Sequence, residues 1–378
     1  IKEDFNGNLF PLDYVISNTS VKEEERVNEN HLSVIKSLLQ GATIHKDSTS
    51  ILSLFDIYDF SVIPIEFVSN VYEKFIGVEN QEKEGAYYTP LFLVDYIQKE
   101  TISKYFEKNP TEYNCKVLDP ACGSGIFLVE ALRQILLQYK NNNPSCQDDY
   151  DQYKIKLKEL LTDNIFGLDK DENAIDVAIF SLYITLLDNL NPKTIVGFKF
   201  PILKNKNFFV DDFFNTEENE ESFNTIFKKQ YFQFIIGNPP WATKHSKEKQ
   251  PFEKYIEKRK REENSNLDIV QREIAEAFLV RVSDFSFNET AFIVVSKILY
   301  KLEKQGVFRK YFLNNFAIRQ VIELSSVRHL IFNNSNDSAV APASILFYRK
   351  ENDIEKIKKN TTALLGIYLI ESAVGKVP

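Results

Sequence analysis

Between residues 115 and 237 the chain alternates short apolar runs with longer segments whose apolar positions recur every three or four residues. Lys116-Val117-Leu118-Asp119 predicts a short buried strand, followed by a Gly-containing turn and a helix over Ile126–Leu137. Asn164–Asp169 predicts a second strand and Glu172–Leu187 a second helix. Asn207–Val210 and Tyr231–Gly237 predict a third and a fourth strand, and Ala291–Ser296, Ile318–Leu324 and Ala343–Tyr348 three more. Strands alternating with helices imply βαβ units on a mainly parallel sheet. Right-handed crossovers then leave a Rossmann-like, doubly wound α/β sheet as the expected architecture.

Residues 1–84 read differently. His31–Leu39 and Pro64–Tyr72 place apolar residues at helical spacing, so an N-terminal helical region is expected there. It holds no Pro-Asp followed by a Glu-x-Lys strand, and hence no nuclease signature. Residues 85–350 are the expected catalytic domain, and 351–378 a linker or the start of a further domain. Two charged stretches interrupt the pattern, 141–158 and 244–266. The second follows Trp241 directly; it reads as a solvated helix, or as a segment whose Lys258, Arg259, Lys260 and Arg261 touch phosphates.

Composition narrows the class. Among 378 residues, three cysteines (Cys115, Cys122, Cys146) and four histidines give neither a disulfide framework nor metal-ligand spacing, so no metal is expected and a reducing, cytoplasmic compartment fits. No apolar run reaches the length of a membrane span, and Ile1-Lys2-Glu3-Asp4 does not open a signal peptide. The net charge of −8 weighs against a nucleic-acid binder but leaves room for a basic cleft on an acidic protein.

The chemistry lies at the predicted strand ends. Asp119-Pro120-Ala121-Cys122-Gly123-Ser124-Gly125 stands where the first strand gives way to a helix. In an open α/β sheet, ligands bind in the crevice beyond the carboxyl ends of the strands. Gly123 and Gly125 let the backbone pass close to such a ligand, and the helix N-terminus offers free N–H groups. Asp169, ending the second strand, is placed to accept hydrogen bonds from ribose hydroxyls, whereas Asp171 reads as the cap of the next helix. Asp211-Asp212-Phe213 ends the third strand, where a carboxylate can accept from an adenine amino group with Phe213 against the ring. The fourth strand ends in Asn238-Pro239-Pro240-Trp241. Two prolines remove two N–H donors and fix two φ angles, giving a rigid extended segment. The Asn238 side-chain carbonyl and the Pro239 backbone carbonyl are two acceptors for the two hydrogens of an exocyclic amine. Trp241 offers a flat face, and stacking a base on such a face contributes about 1–3 kcal/mol.

These motifs, in this order, resemble the gamma arrangement of the DNA amino-methyltransferases, with Gly85-Ala86-Tyr87-Tyr88-Thr89-Pro90 matching the segment that precedes the Gly-rich motif in that family. The resemblance spans roughly residues 64–350 as judged by motif order. It implies a DNA adenine-N6 methyltransferase using S-adenosyl-L-methionine. Tyr88, Thr89 and Pro90 would close over the methionine part of the cofactor, Asp119, Ala121 and Gly123 would line its pocket, Asp169 would hold the ribose, and Asp212 with Phe213 the adenine. Asn238, Pro239, Pro240 and Trp241 would hold the target base, with Phe332 stacking on its other face. The N-terminal helices are similar to those preceding the methylase in type I modification subunits and in fused type II restriction-modification enzymes. Double-stranded DNA is then the expected partner, with a specificity or nuclease subunit or fused domain beside it. Three other readings stay open: a cytosine-N4 methyltransferase (whose family usually has Ser in place of Asn238), an RNA or protein-glutamine methyltransferase, and a non-catalytic DNA-binding subunit.

Overall fold

The computed structural model describes residues 89–191, 195, 198–241, 248–269, 273–300, 307–325 and 342–351. The expected N-terminal helical region, Tyr88, Phe332 and the segment after Glu351 lie outside the described residues.

Seven strands form one sheet in the order β3-β2-β1-β4-β5-β7-β6. β1 (Val117–Asp119), β2 (Ile165–Asp169), β3 (Phe208–Val210), β4 (Tyr231–Gly237) and β5 (Ser286–Val295) pair in parallel. β7 (Ala343–Lys350) runs antiparallel between β5 and β6 (Phe316–Glu323). The strand order reverses between β1 and β4, which sets a crevice at the carboxyl ends of those two strands. This is the Rossmann-like α/β sheet that the sequence implies, with one reversed strand.

The helices are α1 (Leu91–Gln98), α2 (Lys104–Lys108), α3 (Ile126–Asn142), α4 (Tyr150–Asn164), α5 (Glu172–Leu187), α6 (Phe223–Lys228), α7 (Pro251–Glu262), α8 (Ile274–Arg281), α9 (Lys297–Tyr300) and α10 (Val307–Asn315). A π-helical turn over Lys99–Ser103 joins α1 to α2. Gln98 Nε2 donates to the Phe127 carbonyl at 2.7 Å, tying α1 to the start of α3. Gly125 caps α3 at φ +87°, and a Cβ there would stand 2.8 Å from that of Ala178 on α5. The residue must be glycine for both the turn and the helix contact. Asp171 caps α5 as expected, accepting from Asn173 N at 2.9 Å.

Two elements depart from the sequence-based expectation. β5 starts five residues early, at Ser286, because its first half alternates exposed and half-buried positions against the outer end of β4. The polar stretch 141–158 runs into α4, whose buried stripe is Tyr153, Leu157, Leu160 and Leu161. The dense charged stretch is helical over α7, with Pro251 in its first turn and the Glu253 carboxylate accepting from Gln250 N at 2.8 Å.

Arg281, at the end of α8, is 1% exposed. Its guanidinium donates to the carbonyls of Phe213 (3.0 Å) and Asn215 (3.1 Å), to Asn224 Oδ1 and to Asp284. It also lies over the rings of Phe213, Tyr255 and Phe285 at 5.1–5.4 Å. One side chain thereby holds the loop after β3 against α6, α7 and α8.

Candidate active site

The strand-end motifs converge. Backbone hydrogen bonds from Cys122 N to the Leu168 carbonyl and from Asp211 N to the Asp169 carbonyl, each 3.0 Å, link the ends of β1, β2 and β3. Asp169 strengthens this floor: Oδ2 accepts from Gly123 N at 2.8 Å and Oδ1 from Asp171 N at 3.0 Å. Burial raises its pKa above the ordinary carboxylate range, with the backbone hydrogen bonds opposing.

Asp119 is 1% exposed and accepts from Ala121 N at 3.0 Å. Burial pushes its carboxyl well above the usual range, and the neighbouring Asp169 adds to the effect. A Cβ on Gly237 would sit 2.5 Å from Asp119 Oδ1, so the end of β4 lies hard against this carboxyl group. A Cβ on Gly123, at φ +51°, would meet nothing within 4 Å. A buried carboxylate suits a cationic ligand group such as an ammonium.

A native state that binds protons more tightly than the unfolded chain loses stability as pH rises. The contribution of Asp119 and Asp169 is therefore fully present below the ordinary carboxylate range and is lost as pH rises through their raised values. Asp119→Asn should melt higher than the parent at pH 7–8 without ligand, with the gain shrinking toward about pH 4, near the ordinary value of 3.8. Each ~1 kcal/mol relieved corresponds to about 2–4 °C for a domain of this size. Melting curves at several pH values check this, and a lower melting point at pH 7–8 would contradict it.

Asp212 sits at the crevice, its Oδ2 paired with Lys170 Nζ at 2.7 Å and its Oδ1 accepting from Phe214 N at 2.8 Å. Phe213 departs from expectation. It is 1% exposed, stacked on Phe278 at 5.0 Å and flanked by Phe223, Phe285 and Arg281. Its ring is a core element with no open face for an adenine.

At the end of β4, Asn238 Nδ2 donates to Thr89 Oγ1 at 3.1 Å, and Asn238 Oδ1 accepts from Trp241 Nε1 at 3.0 Å. The indole also donates to the Ile293 carbonyl on β5 at 3.3 Å. Trp241 is 4% exposed, so the flat face expected for stacking is covered in this conformation, and its visible task is to hold the Asn238 amide. Thr89 and Pro90 are buried beside this strand end. The contact of Thr89 with Asn238 spans 149 residues of chain, and no local sequence signal announces it.

Arg259 leaves the set of phosphate candidates, because it pairs with Asp284 and Glu263 and donates to Ser283 Oγ at 3.1 Å. Lys258, Lys260 and Arg261 are exposed on the same helix. A cavity of about 250 Å³ involves Lys228, Arg259, Arg281 and Asp284. It lies toward the amino ends of β4 and β5, away from the strand-end motifs, and its cations are paired: Lys228 with Glu218, Lys258 with Glu262, Arg259 with Glu263 and Asp284, and Arg281 with Asp284. Among the described residues no group of three potential ligands could hold a metal ion, and no helix is long and apolar enough to cross a membrane.

The Rossmann-like sheet thus carries an Asp-Pro-Ala-Cys-Gly-Ser-Gly turn after β1 and Asn-Pro-Pro-Trp after β4. Residues 163–330 match the family model described as Eco57I restriction-modification methylase. The chain is similar to the type II restriction enzyme and methyltransferase RM.Eco57I of Escherichia coli, with 27% identity over 394 aligned residues that cover 92% of this chain and 36% of the relative. It thus spans about a third of the length of that relative. Among solved structures, the DrdV–DNA complex matches with a TM-score of 0.53 at 16% identity, covering 80% of this chain and 32% of that one. The type IIL restriction-modification enzyme MmeI in complex with DNA matches with a TM-score of 0.51 at 15% identity, covering 78% and 41%. Both share the fold.

Proposed function

We propose that this chain holds the catalytic part of a site-specific DNA methyltransferase that modifies adenine N6, using S-adenosyl-L-methionine, within a cytoplasmic restriction-modification system. The observation that carries the reading is the fixed acceptor at Asn238, set beside Asp119 at the sheet's reversal point. The bound cofactor supplies an electrophilic methyl group. Asp119, with the open space at Gly123, suits its ammonium, while Asp169 and Asp212 suit its ribose and adenine.

The amino nitrogen of adenine is a poor nucleophile because its lone pair is delocalised into the ring. Asn238 Oδ1 is held by Trp241 Nε1, and an amide oxygen and a backbone carbonyl oxygen each carry two lone pairs, so Asn238 and Pro239 both supply acceptor atoms. Two acceptors gripping the two amine hydrogens favour a pyramidal nitrogen and aim its lone pair. The chain's contribution is orientation and charge placement, and the surplus proton leaves after transfer, so no strong general base is required. The base must leave the duplex to reach this pocket. Phe332 is the proposed stacking surface, and stacking on Trp241 requires its ring to be uncovered as the base arrives. Lys260 and Arg261 are the proposed phosphate contacts. Double-stranded DNA is the proposed partner, together with a specificity or nuclease subunit or fused domain.

Asn at the first position of the tetrapeptide favours adenine over cytosine N4. The test is transfer of tritiated methyl to DNA, RNA and protein, followed by nucleoside analysis. Label in N6-methyladenine is expected. Label in N4-methylcytosine, RNA or protein would overturn the assignment.

A further inference from the structure

The resemblance gives Thr89 a cofactor role, but the structure brings its side chain to a different atom. Thr89 Oγ1 accepts from Asn238 Nδ2 at 3.1 Å, and Thr89 is 7% exposed. On the other side of the same amide, Trp241 Nε1 meets Oδ1 at 3.0 Å. An indole N–H can only donate, so it selects the oxygen; the hydroxyl then takes the nitrogen. A primary amide turned by half a revolution about its last torsion has nearly the same shape, yet presents hydrogens where it had an acceptor. For an amine substrate that inversion is ruinous, because it sets donor against donor.

We infer that Thr89 is a positioning residue for methyl transfer, fixing the Asn238 amide so that Oδ1 faces the target amine, with Trp241 as the second restraint. This rests on the proposal that Asn238 holds the amine. The pair has a further consequence. Thr89 precedes Pro90 and α1, whereas Asn238 directly follows β4, so the segment assigned to the cofactor side of the crevice also sets the geometry of the base side. Thr89→Val keeps the shape and burial of the side chain while deleting the acceptor, and Thr89→Ser keeps the acceptor.

The experiment measures kcat, the KM for DNA and calorimetric cofactor affinity in the full chain for wild type, Thr89→Val and Thr89→Ser. The expected result for Thr89→Val is a kcat lowered about tenfold, the scale of one lost hydrogen bond, with cofactor affinity within about twofold of wild type. Thr89→Ser should recover most of the rate. A kcat for Thr89→Val equal to wild type overturns the inference, as does an equal loss in the serine variant or a loss confined to cofactor affinity. If wild type transfers no methyl group to DNA, the functional reading fails and this inference with it; if wild type is active and Thr89→Val is unchanged, this inference alone fails.

Discussion

Asn238→Ala should abolish measurable methyl transfer while leaving cofactor binding nearly intact. The side chain is half-buried at a strand end and held at both amide atoms, and its oxygen is one of the two acceptors proposed to hold the amine. Removing one preorganised polar group from a reacting centre typically costs about 10²–10³ in kcat. The loss of amide bulk leaves Asp119, Gly123 and Asp169 in place, since their contacts run through β1, β2 and the backbone rather than through Asn238. Single-turnover transfer of labelled methyl, read beside calorimetric cofactor titration, checks both halves. Normal turnover in this variant would sink the two-acceptor mechanism; lost cofactor affinity would move Asn238 to the cofactor side.

The largest stability effect is expected at Arg281, far from the reacting atoms. Truncation to alanine leaves the Phe213 and Asn215 carbonyls and Asn224 Oδ1 without their donor in a buried setting, and strips a cation from three rings. Asp284 keeps Arg259. A buried acceptor left without its donor costs about 1–3 kcal/mol, so losing the donor to three of them is expected to cost about 3–5 kcal/mol in all. Urea denaturation should show a loss of that size, and one below about 1 kcal/mol would mean that the network relaxes around the gap. Because Arg281 holds the loop that follows Asp211 and Asp212, the variant should also bind cofactor less tightly at temperatures where it stays folded.

Much of the sheet was legible because its central strands are buried on both faces and bounded by Gly, Pro or Asp. Tyr231–Gly237 and Glu172–Leu187 coincide with β4 and α5 for that reason. α4 was hidden because only four buried apolar residues stripe an otherwise polar and charged segment. The early start of β5 was hidden because Ser286–Thr290 alternates in exposure rather than running apolar. In the site, the order of strand ends brings together Asp119, Asp169 and Asp212 on one side of the crevice and Asn238 on the other. Burial of a given ring was not legible. In a chain with 31 Phe, a phenylalanine next to an acidic strand end can belong to the core as readily as to a pocket, and Phe213 belongs to the core. Nor could Thr89 or Arg281 be read locally, since their partners come from distant segments of the chain.

The reversal of strand order between β1 and β4 also dictates a timetable for synthesis. Lys116 is joined to Gln233 across 117 residues, and β1 has its second neighbour only when β4 has been made. At about 5–20 residues per second, the ribosome delivers that neighbour roughly 6–23 s later. Through that interval the Val117–Asp119 strand can pair only with β2, leaving one hydrogen-bonding edge open in the nascent chain. Both walls of the crevice therefore mature together and late, and a chain interrupted before Gly237 carries the Gly-rich turn without a finished sheet.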